Sequence, residues 1–376
     1  MEPLRHEFRL SDTQLGALVT WFTVVFAVAG LPLGRLADRG SRRKLLAAGV
    51  AVWAGLTGLA GLATSYAMLL VTRLGVGIGE AVCSPVATSW IGDLVPANRR
   101  ARAMAGFMMA IPVGGLLSYS ITGPVAQAYG WRVALAVAAA PVLVLAPAIL
   151  GLQEPSRGSV VAGQGSEMAA LQATGFWWVA ASGAVINFAL YGFSTFVPAF
   201  LTRYHGVSVA RAGLWMGVGT GVSGIAGAAA VGLLGDRVRN RLGLCAGVAL
   251  VSAVPLFAAV RMPAGSGSAA VWLAMTGYGL LQMYYGLVYA AIQDRVEPAH
   301  RATAMAAYLV VTYLGGASWG PVVMGGASDF LARQAAGAGP LTEAARAAGL
   351  HDAMHLIPAL SVVLSLVLWV AARRSA

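Results

Sequence analysis

Two charged residues, Arg73 and Glu80, stand inside an apolar stretch covering residues 68–91. Seven residues apart on a helix, they are separated by about 10.5 Å of rise and share nearly the same face. An unpaired charge in hydrocarbon is expensive, so both are expected to face a bundle interior or an aqueous cavity. There a carboxylate can take up and release a proton as its surroundings change, and a guanidinium can attract a phosphate or carboxylate head group. Softer polar groups recur in other apolar stretches: Asn187, Tyr191 and Thr195 at helical spacing, then Gln282, Tyr285 and Tyr289, then Tyr313. They suit the lining of an amphipathic substrate path. Tyrosines suit membrane interfaces equally, and glutamine suits a tie between helices. Nothing in the sequence points to covalent catalysis. There is no persuasive nucleophile, acid–base constellation, metal-ligand spacing, P-loop or dinucleotide fingerprint, so neither an enzyme nor a cofactor or metal is expected.

The elements that hold these groups follow from composition. Of 376 residues, 58% are hydrophobic and only 10% charged, far below the roughly 25% charge usual for a soluble domain. Lipid is the solvent this composition fits. Apolar segments near 15–34, 45–64, 68–91, 101–123, 132–151, 175–200, 212–235, 242–260, 268–291, 302–325 and 354–372 are each about 20 residues, enough to cross a bilayer. The expectation is an all-α, polytopic membrane protein with eleven spans. The two cysteines, Cys83 and Cys245, both fall in apolar runs and suggest no disulfide scaffold. The formal charge of +11 sits in short loops between apolar runs, which argues against nucleic acid as a partner. The polar start, MEPLRHEFRLSD, does not resemble a cleavable signal peptide.

With the N-terminus outside and the C-terminus inside, 16 Lys/Arg fall in inner segments and 8 in outer ones, Arg73 lying within a span. The positive-inside rule supports that orientation, in what is expected to be a bacterial inner membrane. Residues 152–174, rich in Gly and Ser, read as a cytoplasmic linker. It divides an N-terminal bundle of five spans, 1–151, from a C-terminal bundle of six, 175–376. A short amphipathic helix is expected near LTEAARAAGLHDAMH, within an otherwise loop-like stretch at 326–353. His205, His300, His351 and His355 fall in or near loops, with no ligand cluster apparent in the sequence.

The halves are related. GRLADRGSRR at 34–43 and GLLGDRVRNR at 232–241 both satisfy G-x-x-x-D-R-x-x-x-R, and DLVPANRRARAMA at 93–105 resembles DRVEPAHRATAMA at 294–306. Two pairs in the same order and at nearly the same offset indicate duplication. Similar halves can rock about a central cavity. Asp38 and Asp236 are placed to accept hydrogen bonds from a neighbouring helix N-terminus or an arginine. Gly34, Asp38, Arg39, Arg43, Asp93, Arg100, Asp236, Arg237 and Arg241 are therefore the expected gating residues. Topology and solubility alone would also explain these charges.

The loop GRLADRGSRRK after an apolar helix, repeated in weaker form, resembles the major facilitator superfamily of secondary transporters. RLGVGIGEAVCSPVATSWIGDLVPANRRARAMAGFMMAIPVGGLLSY, residues 73–119, resembles its spinster-like branch. The resemblance implies a functional role for Arg73 and Glu80. It also implies a substrate class, since vertebrate members export sphingosine-1-phosphate or move lysolipids. It further implies twelve spans, of which the first, normally carrying an acidic residue by the cavity, has no counterpart here. A start at an internal Met is the expected reason.

The sequence thus reads as a secondary active transporter of an amphipathic, anionic solute or lysolipid. It is expected to be a monomer in the lipid bilayer, coupled to protons and working by alternating access. A multidrug-like exporter and a non-transporting membrane receptor or scaffold are the alternatives.

Overall fold

The computed structural model describes residues 1–96, 99, 103, 106–107, 109–154, 175–234, 238, 240–295 and 301–374. Among these the secondary structure is helical, with no strand. The first half holds α1 (Glu2–Phe8), α2 (Asp12–Arg39), α3 (Arg42–Ala60), α4 (Tyr66–Glu80), α5 (Cys83–Leu94), α6 (Ala110–Tyr129) and α7 (Trp131–Leu150). The second holds α8 (Phe176–Arg203), α9 (Val209–Leu234), α10 (Arg241–Val260), α11 (Gly267–Arg295), α12 (Arg301–Thr312), a π turn at Tyr313–Ala317, α13 (Gly320–Ala336), α14 (Glu343–Ala353) and α15 (Leu356–Arg374).

Local sequence explains where these helices begin. Ser11 and Gln14 form a reciprocal capping box that starts α2. Ser41, Ser65, Asn240 and Thr342 each accept a backbone N–H at the start of α3, α4, α10 and α14, satisfying a donor the helix cannot satisfy itself. Gly130, at φ +86°, makes the tight reversal from α6 to α7 that a side chain would strain.

Among the described residues, eight helical stretches are long and apolar enough to cross a membrane, against the eleven spans expected. Those expected at 45–64, 101–123 and 268–291 overlap α3, α6 and α11, the second only from Ala110 on, and these helices do not meet the same measure of length and apolarity. Two other spans are not continuous helices. The stretch 68–91 breaks at Ala81–Val82, directly after Glu80. Pro85 has no N–H to give the Ala81 carbonyl, which favours a break there. The stretch 302–325 changes to a π turn at Tyr313 and resumes as α13, where Pro321 cannot donate to Ala317. α13 then runs to Ala336, well into the region read as a loop, and α14 is the short helix expected there.

The two halves meet along small residues. A Cβ on Gly16 of α2 would stand 2.3 Å from the Pro321 carbonyl oxygen of α13, and one on Gly325 would stand 2.2 Å from that of Asp12. On the other flank, α6 lies against α9. A Cβ on Gly123 would come within 3.0 Å of Gly213, and one on Gly217 within 2.7 Å of the Leu116 carbonyl. Such main-chain approaches need residues without bulk and are typical of membrane helix packing. Large apolar side chains such as Ile111, Val144, Val254 and Leu366 stay exposed, as a lipid-facing surface requires.

Candidate functional site

Glu80 is the last residue of α4, at the joint before α5. Its charge reaches Tyr191 of α8 and Tyr313 of the π turn. The two tyrosine rings meet edge to face at 6.4 Å, and Phe26 of α2 lies 5.9 Å from Tyr313. Arg73, two turns before Glu80, is near enough for mutual electrostatic influence. Among the described residues, however, the two form no ion pair within 4.0 Å and neither takes a hydrogen-bond partner. Both are only half-buried. A guanidinium and a carboxylate left so in an apolar bundle need water or a polar ligand around them.

Asn187 is buried one turn before Tyr191. Its amide donates to the Gly183 carbonyl at 3.0 Å, and its Oδ1 accepts from the Tyr285 hydroxyl at 3.0 Å. Tyr285 meets Tyr289 edge to face at 5.9 Å, and Tyr289 meets Tyr308 at 5.7 Å. Tyr308 donates to the Tyr284 hydroxyl at 3.1 Å, which also shares a 2.7 Å bond with Ser182. The result is a strip of phenols from α8, α11, α12 and the π turn, with Glu80 at one end. Phe26, Ser182 and Tyr308 were not singled out from the sequence, since each stands alone in an apolar run until the fold brings the runs together.

Two expected lining residues are placed differently from their neighbours. The Thr195 hydroxyl donates to the Tyr191 carbonyl at 2.7 Å, so its own helix satisfies it. Gln282 packs against Gly227 of α9, and its Oε1 is buried without a partner among the described residues.

The described residues of the two motif regions lie at the basic end of their helices. Arg42 pairs with Asp93 at 2.5 Å and donates to Ser89 at 2.7 Å. Glu154 accepts from the Ser41 hydroxyl at 2.6 Å and the Arg42 backbone N–H at 2.8 Å. The hydrogen bond from Ser41, then those from the Arg42 and Arg43 backbone, hold the Glu154 carboxyl below the usual carboxylate range. In the second half Arg241 pairs with Asp294. Asp93 takes Arg42, whereas Arg43 donates to the Leu152 carbonyl at 3.0 Å and Arg39 is exposed. Since Ser41 and Asn240 are equivalent caps, Arg42 rather than Arg43 is the counterpart of Arg241. Gly34 has only the Pro85 side chain nearby, at 4.0 Å from a Cβ. Arg100, Asp236, Arg237 and the side chain of Asp38 lie outside the described residues.

The opposite end carries a denser set of charges that join the halves. Arg203, closing α8, donates to both carboxylate oxygens of Asp12 at 2.7 Å and to Glu2 at 2.6 and 2.9 Å. Ser328 of α13 donates to Asp12 at 2.7 Å. Asp329 accepts from the backbone N–H groups of Asp12 and Thr13 at 3.0 and 2.8 Å and from the Thr13 hydroxyl at 2.6 Å. A carboxylate from one half thus caps the first helix turn of the other. Arg5 donates to Glu343 of α14 at 2.6 Å and to Glu2 at 3.2 Å. Burial would raise the Glu2 carboxyl, but the hydrogen bond and charge of Arg203 outweigh it and hold that group below its ordinary value. Burial likewise opposes the Arg5 charge, and Glu343 and Glu2 reverse that effect, so the guanidinium is raised. Sequence reading missed this set because its members are distant in sequence, such as Asp12 and Ser328, and looked like ordinary loop charges.

Comparison with known proteins adds a family. The sequence profile of the Major Facilitator Superfamily matches residues 1–320. An MFS-type efflux pump of Mycolicibacterium smegmatis is 34% identical over 351 residues, covering 88% of this chain and 79% of that protein. Protein spinster homolog 1 of Bos taurus is 31% identical over 369 residues, covering 87% and 68%. Among solved structures, a bacterial homolog of the human lysosomal transporter Spinster, described as inward-facing and occupied, superposes with a TM-score of 0.87 at 27% identity, covering 99% of this chain and 91% of that one. With a helical fold across the described residues, the chain belongs to the Major Facilitator Superfamily and is a spinster-like membrane transporter.

Proposed function

We propose that the protein is a secondary active transporter that moves an amphipathic, anionic organic solute or lysolipid by alternating access. In this reading the bundles 1–151 and 175–376, joined by 152–174, rock about the space beside Glu80. Arg73 attracts the anionic head group, Asn187, Tyr191, Tyr285, Tyr289 and Tyr313 line the amphipathic path, and Glu80 takes up a proton to drive the cycle. The basic end faces the cytoplasm of a bacterial inner membrane, following the charge bias of its loops. The conformation described here is then the one sealed on the outer side by Asp12, Arg203 and Ser328. The observation that carries the reading is the pair Arg73 and Glu80, without partners among the described residues and beside a strip of phenols in an apolar bundle.

The test is flux in vesicles reconstituted with the purified chain. Lysophospholipids and sphingoid phosphates are offered with and without an imposed pH gradient. Uptake that depends on the gradient and falls at least tenfold in Arg73→Gln supports the proposal. Uptake of uncharged or cationic amphiphiles at equal rates, unaffected by Arg73→Gln, supports a multidrug-like exporter instead. That reading draws on the likeness to the efflux pump. Saturable binding without flux of any of these compounds would indicate a receptor or scaffold.

A further inference from the structure

His351, Asp352 and His355 stand together at the end of α14 and the start of α15, with one donor atom of each lying within 4.8 Å of the others. The histidines read from sequence as lying in or near loops, whereas the end of α14 and the turn at 354–355 bring these three side chains together. The hydrogen bonds fix which nitrogens are free. His351 Nε2 lies 3.0 Å from the Val260 carbonyl oxygen, which can only accept, so Nε2 carries a proton. The other ring nitrogen, Nδ1, lies 3.0 Å from Asp352 Oδ1, also an acceptor. In a neutral ring that would set two lone pairs against each other, and a cation between them removes the conflict. His355 Nδ1 lies 3.2 Å from the Asp352 backbone carbonyl, so it too carries a proton and Nε2 keeps its lone pair.

This is the pattern of metal-binding imidazoles, in which the far nitrogen donates to a carbonyl and thereby fixes the tautomer. Two imidazoles and a carboxylate suit zinc or a similar first-row dication, with water completing the shell. The rings are also held in place. Tyr204 stacks on His351 at 4.3 Å, and Phe257 meets His355 edge-on at 6.0 Å.

We infer that His351, Asp352 and His355 form a binding site for a zinc-type dication on the face that carries the Arg203–Asp12 contact. Binding replaces any proton on His351 Nδ1 with the metal, and the metal links α14 to the start of α15 and, through the Val260 carbonyl, to the end of α10. At its other end α14 presents Glu343 to Arg5 of the first half, so the site sits on a helix that takes part in the contact between halves.

The test uses the full chain without an added histidine tag, in detergent or nanodiscs, titrated with Co2+ and followed by visible absorption. The expected result is one Co2+ per chain with ligand-field bands, displaced by Zn2+, and affinity at least tenfold weaker in His351→Asn and in His355→Asn. Asp352→Asn should weaken binding as well. Thermal unfolding of each variant without metal shows that the fold persists, and Zn2+ should raise the melting temperature of the parent chain but not of His355→Asn. The inference is overturned if the parent chain takes up no stoichiometric metal. It is equally overturned if the His351→Asn/His355→Asn double variant binds Co2+ as the parent does, since the metal would then sit elsewhere on the chain.

Discussion

Arg203, the last residue of α8, holds Asp12, the first residue of α2, by two parallel hydrogen bonds of 2.7 Å. Both side chains are almost wholly buried. The fork geometry matches guanidinium to carboxylate, and Ser328 occupies one of the same oxygens from a third helix. Three helices from both halves therefore converge on one carboxylate.

Removing the arginine leaves Asp12 and Glu2 buried without their main counter-charge, a loss of about 3–5 kcal/mol for a buried pair. Arg203→Gln is expected to lower the melting temperature and to shift the population toward conformations parted at this end. Distances between spin labels on α2 and α13 measure the shift. An unchanged distance distribution would show that the contact does not hold the halves.

The seam beside it depends on backbone approach. A Cβ at Gly325 would meet the Asp12 carbonyl oxygen at 2.2 Å, so Gly325→Ala must push α13 away from α2. Overpacking of this kind costs about 1–3 kcal/mol. A cysteine introduced at Thr13 should react with a membrane-impermeant thiol reagent faster in the Gly325→Ala background than in the parent.

Tyr285→Phe keeps the ring and deletes the hydroxyl that donates to Asn187. Losing a hydrogen bond of this type costs about 0.5–1.5 kcal/mol. If the phenol strip lines the substrate path, KM should rise up to about tenfold while the amount of folded protein stays level. Tyr284→Phe, set in the buried core, should affect stability instead.

For Glu80→Gln the readout is the pH gradient. The amide keeps the shape and removes the titrating proton, so substrate binding should survive while gradient-driven accumulation disappears. Accumulation that still follows the gradient would remove Glu80 from the coupling step.

Acid should loosen the charged end. Glu2 is held below its ordinary value of 4.5 by Arg203 against the opposing effect of burial. A carboxyl lowered in the folded state contributes stability that is present above its ordinary value and is lost as pH falls through the lowered one. The melting temperature should therefore drop as the pH goes below 4.5, and the drop should be smaller in Glu2→Gln.

The helical class and the positions of most long helices were legible from apolar run length, because a bilayer imposes a fixed length on each crossing, and the transporter family was legible from the resemblance carried by the 34–44 loop and residues 73–119. The repeat was legible as well, though one residue out of register. Arg42 and Arg241 are the equivalent side chains, a relation set by the caps Ser41 and Asn240 and not by the spelling of the motif. The breaks after Glu80 and at Tyr313 were hidden, since an apolar run reads alike whether its helix is continuous or jointed. The Glu2–Arg203–Asp12–Ser328 contacts had no local signature, because each residue finds its partner only after distant helices pack.

The seam between α2 and α13 is made of backbone pressed on backbone at Gly16 and Gly325, and this has an electrical consequence. A closure built from side chains can flicker, as one rotamer swings aside and lets an ion slip past. Polypeptide main chains in mutual contact offer no such partial state, so in the proposed alternating-access cycle this seam would part as whole helices or stay shut. Membranes containing the protein should accordingly carry no stray conductance between turnovers.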